Sequence, residues 1–458
     1  MDNRLVYVFL GLLAFFVRLF FEFQSSIITG INGGYIPIQV MKIYEHGHLA
    51  ISDMPMVFYL NAVIVKFIAY LFPQYSVEII VLYVIKITGS LSLPLILVPL
   101  YKINHKFIKV KLPKAYEYSV LVFCLFSFSS LYLGAEMMKN TFGLVGFVFL
   151  IYFIFQFIYQ KSLRYALLMG IFLVFIGLTH FGVFSISIIL IIISLFCIYK
   201  KRAIIPTLSI MIMGFFIVWM IDSSRAFNAI NIFEKWFGLP WRIAYYFPGI
   251  VHCLLNLCIV ILLIFLLKTK VTEKGHRQIL TILLLFMVLL ALPILRFELW
   301  RRFSFMLFLA QAIALIVAYP YLQSYIKKKV PIALILVCAI SLIYNIVLPK
   351  KAVISEAAYK DLANISRIIE NPNNTLIFAK HGLDWWMIWQ LDVKMAQSHL
   401  EIDEATIDKY DEILILHQKK GRNRLYPGPY SPFVKPSVPI DSNQVYSSEY
   451  FEVFKFSN

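Results

Sequence analysis

Residues 30–55 read GINGGYIPIQVMKIYEHGHLAISDMP, and the reading of this stretch decides the rest. It follows the first hydrophobic segment and sets a glycine pair, two histidines, Glu45 and Asp53 between segments suited to lipid. Irregular backbone and carboxylates at a membrane boundary are costly unless protein or water surrounds them. Residues 25–76 are therefore expected to form a first outer loop and the floor of a site. The rest of the chain reads as the scaffold that holds it.

Outward from that stretch, 60% hydrophobic residues against 15% charged ones cannot make a soluble surface. Many apolar runs reach spanning length, about 20 residues. The fold class is an all-α polytopic membrane protein. Met1–Arg4 resembles a short n-region, but the apolar run from Leu5 is long and lacks a small-residue cleavage site, so the first segment is expected to stay as an anchor. Cys124, Cys197, Cys253, Cys258 and Cys338 all fall in hydrophobic segments without metal-ligand spacing, which makes them packing residues.

The net charge of +17 suggests nucleic acid only until it is mapped. Beyond residue 348 there are 13 Lys and Arg against 14 Asp and Glu; the membrane part holds 29 against 11. Its basic residues sit mostly in short hairpin loops, the positive-inside pattern, and nucleic acid is excluded as a partner. Spans are expected near 5–24, 77–101, 117–134, 142–160, 165–181, 183–199, 203–221, 249–267, 278–295, 303–325 and 331–348. With Met1 inside, loops 102–116, 161–164, 200–202, 268–277 and 326–330 are all inner and all basic. Eleven spans leave residues 349–458 outside. This arrangement requires 56–73 to lie along the outer surface as an interfacial helix, with a spanning helix as the alternative.

Arg18 near the end of the first span, a glycine-flanked polar residue before Tyr35, then GHL at 47–49, DMP at 53–55 and FYLNA at 58–62 together resemble the GT-C superfamily. Members of that superfamily are membrane glycosyltransferases using polyprenyl-phosphate sugars; the first loop is similar to that of aminoarabinose and protein O-mannosyl transferases. The resemblance in order and topology covers most of residues 1–350, and in motif only about 25–60. It implies a polyprenyl-phosphate sugar donor, membrane lipids around it, and a glycan, lipid or protein acceptor in the cell envelope. It allows a divalent cation, magnesium or manganese, and requires no cofactor. The family's first-loop aspartate is replaced here by Asn32, whose amide cannot take up a proton at neutral pH. The base is then another outer carboxylate, with Asp53, Glu45 and Glu136 as candidates, or the chain has lost transferase activity.

Substrate-binding candidates are Asn32, Tyr35 and His48 in the first loop, and His180 in the turn Thr179-His180-Phe181-Gly182, where a helix cap is the plainer alternative. Arg242 lies in the second outer loop, 222–248, whose aromatics read as interface anchors. The run RFELWRR at 296–302 puts Arg296, Arg301 and Arg302 at the outer boundary, where arginine is disfavoured, and a phosphate is the natural partner for such guanidiniums. The alternative is snorkelling with a Glu298–Arg302 pair. Glu136 and Lys139 could likewise be a solvated helix pair.

Residues 349–458 change character: helix over 355–370, strand 375–379, helix 383–391, strand 412–417 and strand 450–456, a small extracytoplasmic α/β domain. The resemblance implies an inverting glycosyltransferase working on the outer face of the plasma (inner) membrane, and the charge pattern implies a cytoplasmic N-terminus. An inactive GT-C relative, a Wzy-like polysaccharide polymerase and a flippase or transporter are the alternatives. Apart from Arg18 and Lys86 the span centres are nearly free of charge, which counts against a transporter.

Overall fold

A computed structural model describes residues 3–30, 33–108, 110–223, 226–227, 247–292, 294–295, 297–347, 352–380, 382–397, 407–419, 437–439 and 442–456. The protein is mostly helical. Its helices are α1 (Asn3–Glu22), α2 (Tyr35–His46), α3 (Met56–Leu71), α4 (Val77–Ser92), α5 (Leu97–Phe107), α6 (Lys114–Phe126), α7 (Phe128–Glu136), α8 (Met138–Gln160), α9 (Leu163–Thr179), α10 (Phe181–Tyr199) and α11 (Ile204–Ile221). They continue as α12 (Phe247–Thr269), α13 (Lys274–Ala291), α14 (Phe297–Ala318), α15 (Ser324–Val347), α16 (Glu356–Ile365) and α17 (Leu383–Leu391). Among the described residues, eight helical stretches are long and apolar enough to cross a membrane; one of them, Phe181–Ile221, contains both α10 and α11. The chain is a polytopic, membrane-embedded protein.

It divides into two compact units. The first comprises Met1–Leu19, Ser52–Val57 and Thr88–Pro349. Its centre is α14, which is almost wholly buried and packs against α6, α12 and α13. At its edge α15 is apolar with one face packed inward through Leu334, Cys338 and Ser341 and the other exposed, as a lipid-facing helix should be. The span expected at 117–134 is interrupted: Ser127 takes an extended backbone (ψ 156°) and separates α6 from α7. Ser130 Oγ repairs part of the break by donating to the Leu125 carbonyl (2.5 Å), and all of Ser127–Ser130 is buried. Non-helical backbone at membrane depth is tolerated where protein encloses it in this way.

The second unit comprises Phe20–Ile51, Phe58–Ile87 and Lys350–Asn458. It holds a five-stranded sheet, β1 (Thr375–Ala379), β2 (Lys394–Gln397), β3 (Glu412–Gln418), β4 (Ser442–Ser447) and β5 (Phe451–Phe456), in the order β2-β1-β3-β5-β4. Strands β2, β1 and β3 are parallel; β5 is antiparallel to β3 and to β4. Strand β1 is buried at every position, as a continuous apolar run in a parallel sheet should be, whereas β4 is an exposed edge. Leu376, Phe378, Ile413 and Ile415 form the core on one face.

Within the stretch expected as the first outer loop, 25–76, lies α2. Gly47 ends that helix in the left-handed conformation (φ 80°), its N–H donating to the Ile43 carbonyl, the usual glycine C-terminus. The preceding glycines serve a close approach. A Cβ on Gly34 would sit 2.8 Å from the Trp385 backbone, and one on Gly33 only 2.5 Å from the Ile28 carbonyl oxygen. Here the glycine pair is a packing device within the second unit.

Candidate functional site

The four residues Ser52-Asp53-Met54-Pro55 belong to the first unit and are fixed at two helix ends. Ser52 Oγ donates to the Ile221 carbonyl (2.8 Å) at the C-terminus of α11, a position where carbonyls lack helical partners. Asp53 forms an ion pair with Lys139, in the first turn of α8. Both side chains are close to nine-tenths buried. Asp53 Oδ1 also accepts the Met54 N–H (2.7 Å). A carboxylate beside a helix N-terminus gains from the helix dipole as well as from its cation. The result is a fixed, salt-bridged carboxylate where the first polar stretch meets the start of α8.

The helix geometry behind Lys139 is equally specific. Helix α7 ends at Glu136; the backbone of Met137 leaves the helical region (φ −138°, ψ 55°), and α8 begins at the next residue. Met138 packs on Gly89, where a Cβ would approach its Sδ to 3.3 Å. Ser92 Oγ and Thr141 Oγ1 share a 2.5 Å hydrogen bond one turn further on. Lys139 therefore projects from a braced turn.

The remaining candidates fall in different places. Glu45 is in the second unit, exposed, 3.5 Å from Lys42 and 3.6 Å from His46. Lys42 also pairs with Asp392 (3.1 Å). Burial works against the Lys42 ammonium, but its bonds to Asp392 and Glu45 outweigh that and hold its pKa above the ordinary lysine value. Glu45 is thus part of a surface ion-pair network. Glu136 closes α7, but its side chain lies outside the described part, as do Asn32, Arg242 and Arg296 entirely. The proposed Glu298–Arg302 pair is likewise outside, through the Glu298 side chain.

Tyr35 opens α2 and leans on Phe58 and Trp385, at 5.7 and 4.9 Å between ring centres. Its hydroxyl accepts from Gln39 Nε2 (3.0 Å). His48 is exposed, and its ring stacks on that of His46. His180 does what the plainer alternative predicts: its Nδ1 accepts the Val183 N–H (3.2 Å) and caps α10. Arg301 is buried in α14 while Arg302, the next residue, is exposed. Consecutive helical positions do not share a face, so the two guanidiniums serve different surroundings.

Gln39 is the residue the sequence reading missed. It is fully buried, and its carboxamide accepts from the Ala50 and Ile51 N–H groups (2.9 and 3.2 Å) and donates to the Ile51 carbonyl (2.8 Å). One side chain thereby organises the turn after α2. Only its spacing from the loop hints at this, since a glutamine in an apolar helix has many uses. Among the described residues, no three His, Cys, Asp or Glu side chains gather as a metal-ligand set.

In comparisons with known proteins, no family model and no curated protein matches the chain.

Proposed function

We propose that this protein is a GT-C-like membrane glycosyltransferase, moving a sugar from a polyprenyl-phosphate donor to a cell-envelope acceptor on the outer face. The observation that carries the reading is the Asp53–Lys139 ion pair, which holds a buried carboxylate at the head of a spanning helix. In this reading eleven segments cross the membrane, with α10, α11 and the shorter apolar helices α9 and α12 counted separately. Helix α3, 16 residues long, lies along the outer surface, and the N-terminus is cytoplasmic.

Asp53 is the base. The acceptor hydroxyl attacks the anomeric carbon as the bond from that carbon to the phosphate oxygen breaks. The hydroxyl proton passes to Asp53, and the electron pair leaves on the polyprenyl phosphate, inverting the anomeric centre. Lys139 pairs with Asp53 before the donor arrives and orients it. In this reading Arg302, exposed near the start of α14, is the electrostatic partner of the donor phosphate.

The test is reconstitution in liposomes with a polyprenyl-phosphate sugar and an envelope-lipid acceptor. Acceptor-dependent release of polyprenyl phosphate, lost in D53N, supports the reading. Release that is equal in D53N removes Asp53 as base. The pairing of Asp53 with Lys139, which occupies the carboxylate, also favours a second reading, a non-catalytic relative that binds lipid-linked glycans; it predicts donor binding without release.

A further inference from the structure

Arg18 is a charged side chain inside the first span, and it is buried. Charges at such depth are kept for a purpose. Its Nη2 donates to the Ser130 carbonyl of α7 (2.6 Å) and lies 3.5 Å from Ser130 Oγ. That approach exists because of residue 134. In a helix the carbonyl of residue 130 points at residue 134, and a side chain there screens it. Position 134 is glycine, and a Cβ built on it would lie 1.9 Å from Arg18 Nη1 and 2.6 Å from its Cζ. The guanidinium occupies the space a side chain would fill.

We propose that Arg18 is a positioning residue that acts through α7 to hold the corner carrying Lys139, and so the Asp53 carboxylate. Helix α7 is free of regular helix at both ends: Ser127 breaks it from α6 and Met137 from α8. A nine-residue helix bounded by two breaks needs an outside hold to fix its rotation and height. Arg18 supplies it at the Ser130 carbonyl, in the first turn of α7, with its guanidinium lying over Gly134, and the α7–α8 turn passes it on through the Met137 N–H bond to the Leu133 carbonyl (2.9 Å) and the Asn140 N–H bond to the Met137 carbonyl (2.9 Å). Lys139 sits between those two donors. The catalytic part of this proposal rests on the reading of Asp53 as base; the geometric part does not.

The test is a double-mutant cycle on the full chain in detergent, crossing Arg18→Ala with Gly134→Ala and reading the thermal midpoint. If the guanidinium is what fills the space over Gly134, G134A lowers the midpoint in the Arg18 chain and much less in R18A. The fold-neutral control is Gly170→Ala on α9, where a Cβ meets nothing within 4 Å. The second readout is local. In a chain with its five cysteines replaced, D53C/K139C is bridged by a short bifunctional thiol reagent, with and without R18Q or R18K. R18Q cuts the bridging yield several-fold in the monodisperse fraction, and R18K, which keeps a cationic donor, restores much of it. An additive cycle, or R18Q bridging as well as the parent, overturns the proposal even if the parent chain transfers sugar. A non-additive cycle in a parent that transfers none leaves Arg18 holding the corner and sinks the transferase reading instead.

Discussion

Asp53 and Lys139 are 86 residues apart in the chain and form a buried ion pair at the head of α8. The link matters because the two lie on different stretches, one in the first polar segment and one after a helix break. Breaking a buried pair by removing one partner leaves the other charge stranded, at a cost of about 3–5 kcal/mol, whereas removing both costs far less. D53N and K139M alone are each expected to lower the thermal midpoint sharply. D53N/K139M together should recover most of that stability and none of the transfer activity, which differential scanning fluorimetry and the release assay would separate.

Gln39 predicts a local effect. Q39L leaves the Ala50 and Ile51 N–H groups without their acceptor, worth about 1–3 kcal/mol for buried polar groups. Hydrogen exchange should accelerate at residues 50 and 51 while the strands of the sheet keep their protection.

Gly34 predicts a packing effect in the second unit. G34A pushes a Cβ to within 2.8 Å of the Trp385 backbone, which cannot swing aside as a side-chain tip can. Overpacking of this kind costs about 1–3 kcal/mol. The expected result is a lower melting transition, with tryptophan emission shifted toward the red as the packing of Trp385 and Trp386 against α2 loosens.

His180 separates capping from substrate binding. Asparagine caps helices well, so H180N should keep both stability and transfer near the parent values, while H180A costs about 1 kcal/mol. A loss of transfer in H180N at unchanged stability would return His180 to the substrate.

Glu356 gives a pH dependence. Its carboxylate accepts the Ser26 backbone N–H, which holds its pKa below the ordinary glutamate value. A folded pKa below the unfolded one contributes stability at pH above the unfolded value, and that contribution disappears as pH falls through the folded one. E356Q should therefore melt below the parent at neutral pH, and the two should converge in acid. A difference that persists unchanged in acid would contradict this. Exposure of Glu356 keeps the effect small.

Much of the membrane part was legible because hydrophobic runs and short basic loops report directly on burial in lipid. Strands β1, β3 and β5 were legible for a similar reason: TLIFA, EILILHQ and FEVFKF are apolar enough to announce themselves. Strands β2 and β4, KMAQ and SNQVYS, were not, because a short strand and an exposed edge need no apolar pattern. The break at Ser127 was hidden because only serines, at 127, 129 and 130, mark it within an apolar segment of spanning length; it is satisfied by Ser130 and by enclosure rather than by any glycine or proline. Asp53 was legible as a candidate. Its partner was not: Lys139 was read with its sequence neighbour Glu136, and only the fold brings residue 53 to it. The glycine pair at 33–34 misled in the same way, its purpose set by tryptophans some 350 positions further on.

The most direct measurement of the central claim is turnover of a radiolabelled polyprenyl-phosphate sugar in proteoliposomes by the parent chain and by D53N. The account predicts acceptor-dependent loss of label from the lipid by the parent, with D53N slower by about 100-fold or more, the range typical of a general base. Equal turnover by both, or donor binding without turnover by the parent, would contradict it.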